Sequence, residues 1–192
     1  IEWSRIEPEE GEFNGKEVEH YRRVIAALKR RGLEPFATLW HFTIPLWLAK
    51  KGGWLWGGAP ESFARYAEKM AGELGEKVNF WITLNEPEIY ASFGYALGIS
   101  SFGYEWGLWP PQRKNPFAYL AALRKLAAGH KMAYEAIKRI SPLAQIGIAK
   151  NNAYFEAADG KILNRAVKRI SDWWWNFRFL DKIKDYQDFI GL

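Results

Sequence analysis

Trp81-Ile82-Thr83-Leu84-Asn85-Glu86-Pro87 is the stretch on which the fold turns. Val78 to Leu84 is rich in β-branched and aromatic residues, the composition of a buried strand. The run ends in an amide, a carboxylic acid and a proline. Proline pushes the residue before it toward extended backbone, so Glu86 is expected to be extended, with no helix starting there. Barrels of parallel strands carry their chemical groups at that position. Asn85 beside it adds amide donors and an acceptor.

Outward from this strand, helical and strand periods alternate. Phe63, Ala67, Met70, Ala71 and Leu74 share one face of a helix that begins near Pro60 and stops at Gly75. Earlier, Val18, Tyr21, Val24, Ile25 and Leu28 mark a helix over 16–31, with Gly32 as its stop. Glu34 to His41 reads as a buried strand, followed by an aromatic, glycine-rich loop from Phe42 to Pro60. Downstream come a long connection from Pro87 to Pro111, a helix over Pro116 to Ile140 and a strand over Ala144 to Ala149. Further helix over 161–184 and a last strand near Asp188 complete the chain, while Ile1 to Ile6 reads as the end of a strand. Such alternation predicts a parallel sheet with crossover helices. The long aromatic loops all come after strands, and no glycine-rich phosphate loop does. The expected fold is α/β, a (β/α)8 TIM barrel with about five of its strands in one partial domain, 1–192, because a whole barrel takes ~250 residues. Both ends read as cut strands.

Composition narrows the function. The chain has 192 residues, 48% hydrophobic and 26% charged, as in globular proteins. It has no cysteine, so a disulfide scaffold or thiolate metal site is excluded. His20, His41 and His130 are not spaced as metal ligands. The net charge of +5 comes from Lys and Arg scattered along helices beside Glu and Asp, with no nucleic-acid motif. Apolar runs are too short and too interrupted to span a membrane, and the start lacks a signal pattern, so a cytoplasmic location is expected. Aromatic residues reach 17%, with 11 Trp, and sugar clefts use such rings, although most rings pack in cores.

Several strings, in order, resemble glycoside hydrolase family 1, the β-glucosidase, β-galactosidase and 6-phospho-β-glucosidase type. Asn85-Glu86-Pro87 after Thr83-Leu84 is similar to the family's acid/base motif. Ile1-Glu2-Trp3-Ser4-Arg5-Ile6-Glu7-Pro8 looks like its second barrel strand, and Phe13-Asn14 like the entry to the helix after that strand. Thr38-Leu39-Trp40-His41-Phe42-Thr43-Ile44-Pro45 resembles the third strand, with Gly52-Gly53-Trp54 in its loop. Ala128-Gly129-His130 sits where the family has an Ala-His-Ala stretch, and Asp188 to Leu192 resembles the start of the sixth strand.

The resemblance implies a retaining β-glycosidase acting on terminal β-linked sugars of oligosaccharides or glycosides. Such enzymes use two carboxyl groups roughly 5 Å apart. Glu86 would be the general acid/base, protonated when substrate binds. Asn85 would hydrogen-bond the sugar 2-hydroxyl, and His41 another sugar hydroxyl. Trp3 and Phe42 are candidates for the floor of the site, and Trp54, Trp56, Trp106 and Trp109 for leaving-group subsites. His130 and Trp173-Trp174-Trp175 read as structural, the latter as a helix face packed on the barrel. No Glu stands in the nucleophile's Thr-Glu-Asn-Gly context, so the nucleophile is missing, as are the first-strand Gln and the late Trp and Glu that grip the sugar. The chain alone is therefore expected to be inactive. No metal, nucleotide or organic cofactor is implied, since two carboxyl groups suffice. The alternative is a non-catalytic half-barrel that binds sugar or a complementary partner chain. Gluco or galacto preference, and plain or phosphorylated glycoside, stay open.

Overall fold

A computed structural model describes residues 1–97 and 109–192, without the Leu97 side chain. The first long helix, α1 (Gly15–Arg30), starts at Asn14, whose side chain accepts from the Lys16 and Glu17 N–H groups and so satisfies two end donors. Next along the chain are strand β1 (Phe36–Trp40), α2 (Ala59–Leu74), β2 (Phe80–Asn85) and the short helix α3 (Pro87–Ala91). Helix α4 (Pro116–Ile140) is capped by Asn115, which accepts from Phe117 and Ala118 N–H, with Pro116 at its first position. Strand β3 (Gln145–Ala149), α5 (Ile162–Asp172) and β4 (Phe189–Gly191) complete the order.

All strands pair in parallel, in the order β1-β2-β3-β4. The register sets Trp40 against Leu84 and Asn85 against Ala149, so the strand ends stop at nearly one level. Between Ile82 and Asn85 the β2–β3 pairing slips, an irregularity of the kind that re-aims side chains near sites. One face of the sheet is covered by α2 and α4, which pack extensively on each other. Leu39, Trp81, Ile146 and Ile148 are fully buried. Phe36 and Phe80 stack at 4.4 Å, with Phe189 edge-on to Phe36 at 5.8 Å, and Phe36 is still 53% exposed. That ring layer lies in register at the N-terminal strand ends, the half-open wall of a barrel. Gly147 permits the β3–β4 approach, because a Cβ there would stand 2.2 Å from the Phe189 carbonyl oxygen.

In this wall the structure departs from the expectations in two places. Among the described residues there are four strands rather than five: Trp3–Ile6 is a single helical turn. Its Trp3 ring is drawn into a block with Trp47, Trp54, Phe63 and Tyr66, and only the Ile1 amino group bonds β1, at the Thr38 carbonyl. Within 161–184 the expected helix is α5, which passes into a π-helical turn at Trp173–Phe177 and then a short helix, Leu180–Ile183. Two of the three tryptophans of that turn do not pack as a buried face: Trp173 and Trp174 are 48% and 41% exposed, while Trp175 is half-buried. The apolar stripe of α5, Ile162, Leu163, Val167 and Ile170, is likewise uncovered by any described element. No helix among the described residues is long and apolar enough to cross a membrane.

Candidate active site

Glu86 leaves the sheet at the C-terminal end of β2, half-buried. Its backbone is left-handed, φ 44° and ψ 57°, and Pro87 opens α3 directly. The expected extended conformation, with no helix starting, is thus overturned. Proline suits a first helical position, since no N–H is needed there. A left-handed residue before it turns the chain from strand to helix in one step. Such backbone costs about 1–3 kcal/mol for a side-chain-bearing residue and persists where the surroundings hold it. Here the Glu86 N–H donates to the Ala149 carbonyl at 2.8 Å, and the Glu86 carbonyl accepts from Tyr90 N–H at 3.2 Å. The neighbouring strand end shows the same device, with Phe42 at φ 74° directly after His41.

The carboxyl of Glu86 accepts from the Asn151 side-chain N–H, at 3.3 Å to Oε1. Asn151 was not legible as a site residue, because nothing in its local sequence marks the end of β3 as facing β2. Asn85 is half-buried and His41 exposed, and among the described residues nothing hydrogen-bonds the Asn85 amide or the His41 ring. The register brings the ends of β1 and β2 side by side, so His41, Asn85 and Glu86 emerge at one edge of the sheet. His41 packs edge-on to Phe42 at 4.9 Å.

The aromatic candidates divide. Trp3 is buried, its Nε1 donating to Glu7 at 2.8 Å, and it packs only. Trp54 is fully buried in the same block, so it faces no subsite. Trp56 is half-buried beneath the Lys51 ammonium, 4.4 Å from its ring. Trp109 packs on Phe42 at 5.0 Å, and both rings line a cavity of about 500 Å³ with Tyr90, Tyr95 and Arg113. Glu86, Asn85 and His41 do not line that cavity. Trp106 lies outside the described residues.

His130 is buried on α4 and acts as a pin. Its Nε2 lies 2.8 Å from the Tyr186 carbonyl and so carries the proton, leaving Nδ1 to accept from the Thr83 hydroxyl at 2.6 Å. Burial pulls its pKa down to about 4, the Tyr186 bond opposing this, so the ring is neutral. Beyond Glu86 stands a buried ion pair, Glu88 and Lys150, 2.8 Å apart. Burial raises the Glu88 carboxyl above its usual range, and the Lys150 charge opposes the rise. Sequence reasoning missed this pair, since lysine and glutamate side chains ordinarily read as surface. Among the described residues no group of three His, Asp or Glu side chains is placed to hold a metal ion.

These features define the chain as part of a (β/α)8 barrel that gathers polar groups at its C-terminal strand ends. Residues 1–187 match the sequence profile of glycosyl hydrolase family 1. β-Glucosidase A of Thermotoga maritima is 33% identical over 162 residues, 84% of this chain and 34% of that protein. The crystal structure of Fpglu1 from Fervidobacterium superposes with a TM-score of 0.86 at 32% identity, over the whole of this chain and 44% of that one. The β-glycosidase from Pyrococcus horikoshii gives 0.82 at 37% identity, over 95% and 40%. The chain belongs to glycosyl hydrolase family 1, and it spans about a third of the length of the curated relatives it matches.

Proposed function

We propose that residues 1–192 supply the acid/base part of a retaining β-glycosidase of β-glucosidase type, acting in the cytoplasm on terminal β-linked sugars. Glu86 donates its proton to the glycosidic oxygen as the bond to the anomeric carbon breaks, and a second carboxylate, from outside residues 1–192, attacks that carbon. In the second step Glu86 takes a proton from water, which displaces the enzyme carboxylate. Asn85 hydrogen-bonds the 2-hydroxyl, a contact that strengthens as the anomeric carbon gains positive charge. His41 bonds another hydroxyl of the same sugar.

The observation that carries this reading is that His41 after β1 and Asn85 and Glu86 at the end of β2 emerge side by side at the C-terminal ends of two paired strands. The Asn85 and His41 side chains, unbonded among the described residues, and the restrained Glu86 backbone support it. The test is expression of the complete reading frame that contains residues 1–192, with and without Glu86→Gln. An aryl β-glucoside should be hydrolysed with retention of configuration, and the variant should lose activity by about a hundredfold or more, the usual share of acid/base catalysis. Unchanged turnover in the variant would overturn the assignment.

A further inference from the structure

Lys150 directly follows β3, and strand alternation turns it toward the helix layer in which Ile146 and Ile148 are buried. An apolar residue is expected there. Instead a lysine and its partner Glu88 are each 3% exposed. The Lys150 ammonium donates to Glu88 Oε1 at 2.8 Å, to the Trp175 carbonyl at 2.7 Å and to the Asn151 carbonyl at 3.4 Å. Its three N–H donors thus meet three acceptors. The other Glu88 oxygen is buried with no hydrogen-bond partner among the described residues, and the Arg178 charge is also felt by the carboxyl. Apolar side chains of similar volume hold such a place as well as an ion pair or better, so stability alone does not account for this one.

Location does. Glu88 stands in the first turn of α3, two residues beyond the left-handed Glu86. Three consecutive residues at the end of β3 restrain that turn. Ala149 accepts the Glu86 N–H, Lys150 grips Glu88, and Asn151 touches the Glu86 carboxyl. Through the Trp175 carbonyl, Lys150 also ties the turn to the π-helical segment after α5. Of the three, the ion pair is the one that reaches across from the sheet to the helix side chains. Without it, the first turn of α3 loses its side-chain tether to the sheet, and the hold on the left-handed Glu86 falls to the remaining backbone bonds and Asn151.

We infer that Lys150 is a positioning residue, holding Glu88 and with it the Glu86 carboxyl in line with the leaving-group oxygen. This rests on Glu86 being the acid/base. Misplacing a general acid slows the departure of poor leaving groups and spares good ones, which need no proton. The experiment therefore compares phenyl and 2,4-dinitrophenyl β-glucosides in the protein from the complete reading frame. It uses Glu86→Ala, Lys150→Met, and the double variant Lys150→Met with Glu88→Leu, which keeps the site apolar and folded. Both Lys150 variants should lose kcat/KM on the phenyl glucoside by about tenfold more than on the dinitrophenyl one, a smaller version of the Glu86→Ala pattern. Equal losses on both substrates, or none, beside a discriminating Glu86→Ala would overturn the role of Lys150. A Glu86→Ala protein that does not discriminate would overturn the acid/base assignment itself, and this inference with it.

Discussion

Acidifying the chain from about pH 7 to about pH 4 should remove about 3 kcal/mol of folding stability through His130 alone. In the folded state the ring is neutral, because Nε2–H is engaged by the Tyr186 carbonyl and Nδ1 by the Thr83 hydroxyl. Its pKa falls from 6.5 to about 4. Each unit corresponds to about 1.4 kcal/mol between the two protonation states. The unfolded chain takes up the proton from about pH 6.5 downward, whereas the folded one resists until near 4. The contribution is complete above pH 6.5 and declines steadily as pH falls through that window. Side-chain exposure does not weaken it, since the ring is fully buried. Carboxyl groups titrate in the lower part of the same range, so the assay is urea unfolding of the native chain and of His130→Gln in parallel. Gln keeps a donor and an acceptor but carries no titrating group. The difference between the two stabilities should shrink toward acid by about 3 kcal/mol. Parallel curves from pH 7 to pH 4 would refute the buried, neutral histidine.

Gly147→Ala should destabilise by about 1–3 kcal/mol, by driving a methyl into the Phe189 carbonyl, and hydrogen exchange should show β4 losing protection first. Trp3→Ala should cost about 3–5 kcal/mol in thermal unfolding, because it removes a buried ring from the block around Tyr66 and leaves Glu7 short of a donor. Asn115→Ala should cost about 1 kcal/mol by uncapping α4, and Asn115→Gly markedly less. The isolated 192-residue chain should release no phenol from an aryl β-glucoside, and turnover that vanishes in Glu86→Gln would disprove this.

Much of the barrel wall was legible because its signals are local. Pro116 and Pro142 bracket α4, and the Trp81 to Asn85 run carries strand composition into an amide and an acid. The features that escaped depend on contacts distant in sequence. Trp3-Ser4-Arg5 resembles strand, yet the Trp3 ring is held by Tyr66 and Glu7, so that the backbone coils into a turn. Pro87 was read for what it forbids before it, and its aptness as a helix opener was decided by the left-handed Glu86. Trp54 stands in a glycine-rich loop, which suggests exposure, but Gly129 on α4 leaves room for its ring: a Cβ there would stand 3.0 Å from it. Asn151, Lys150 and Glu88 carry no local mark at all. Their roles come from the β2–β3 register, which places the two strand ends against each other.

That Glu86 is the acid/base carboxyl is tested most directly with the Glu86→Ala protein from the complete reading frame, given 2,4-dinitrophenyl β-glucoside with and without azide. With the carboxylate gone, water lacks its base while the small anion needs none and meets no repelling charge. If Glu86 has this role, azide accelerates turnover and β-glucosyl azide accumulates. Hydrolysis at the unmodified rate, with no azide adduct, would contradict it.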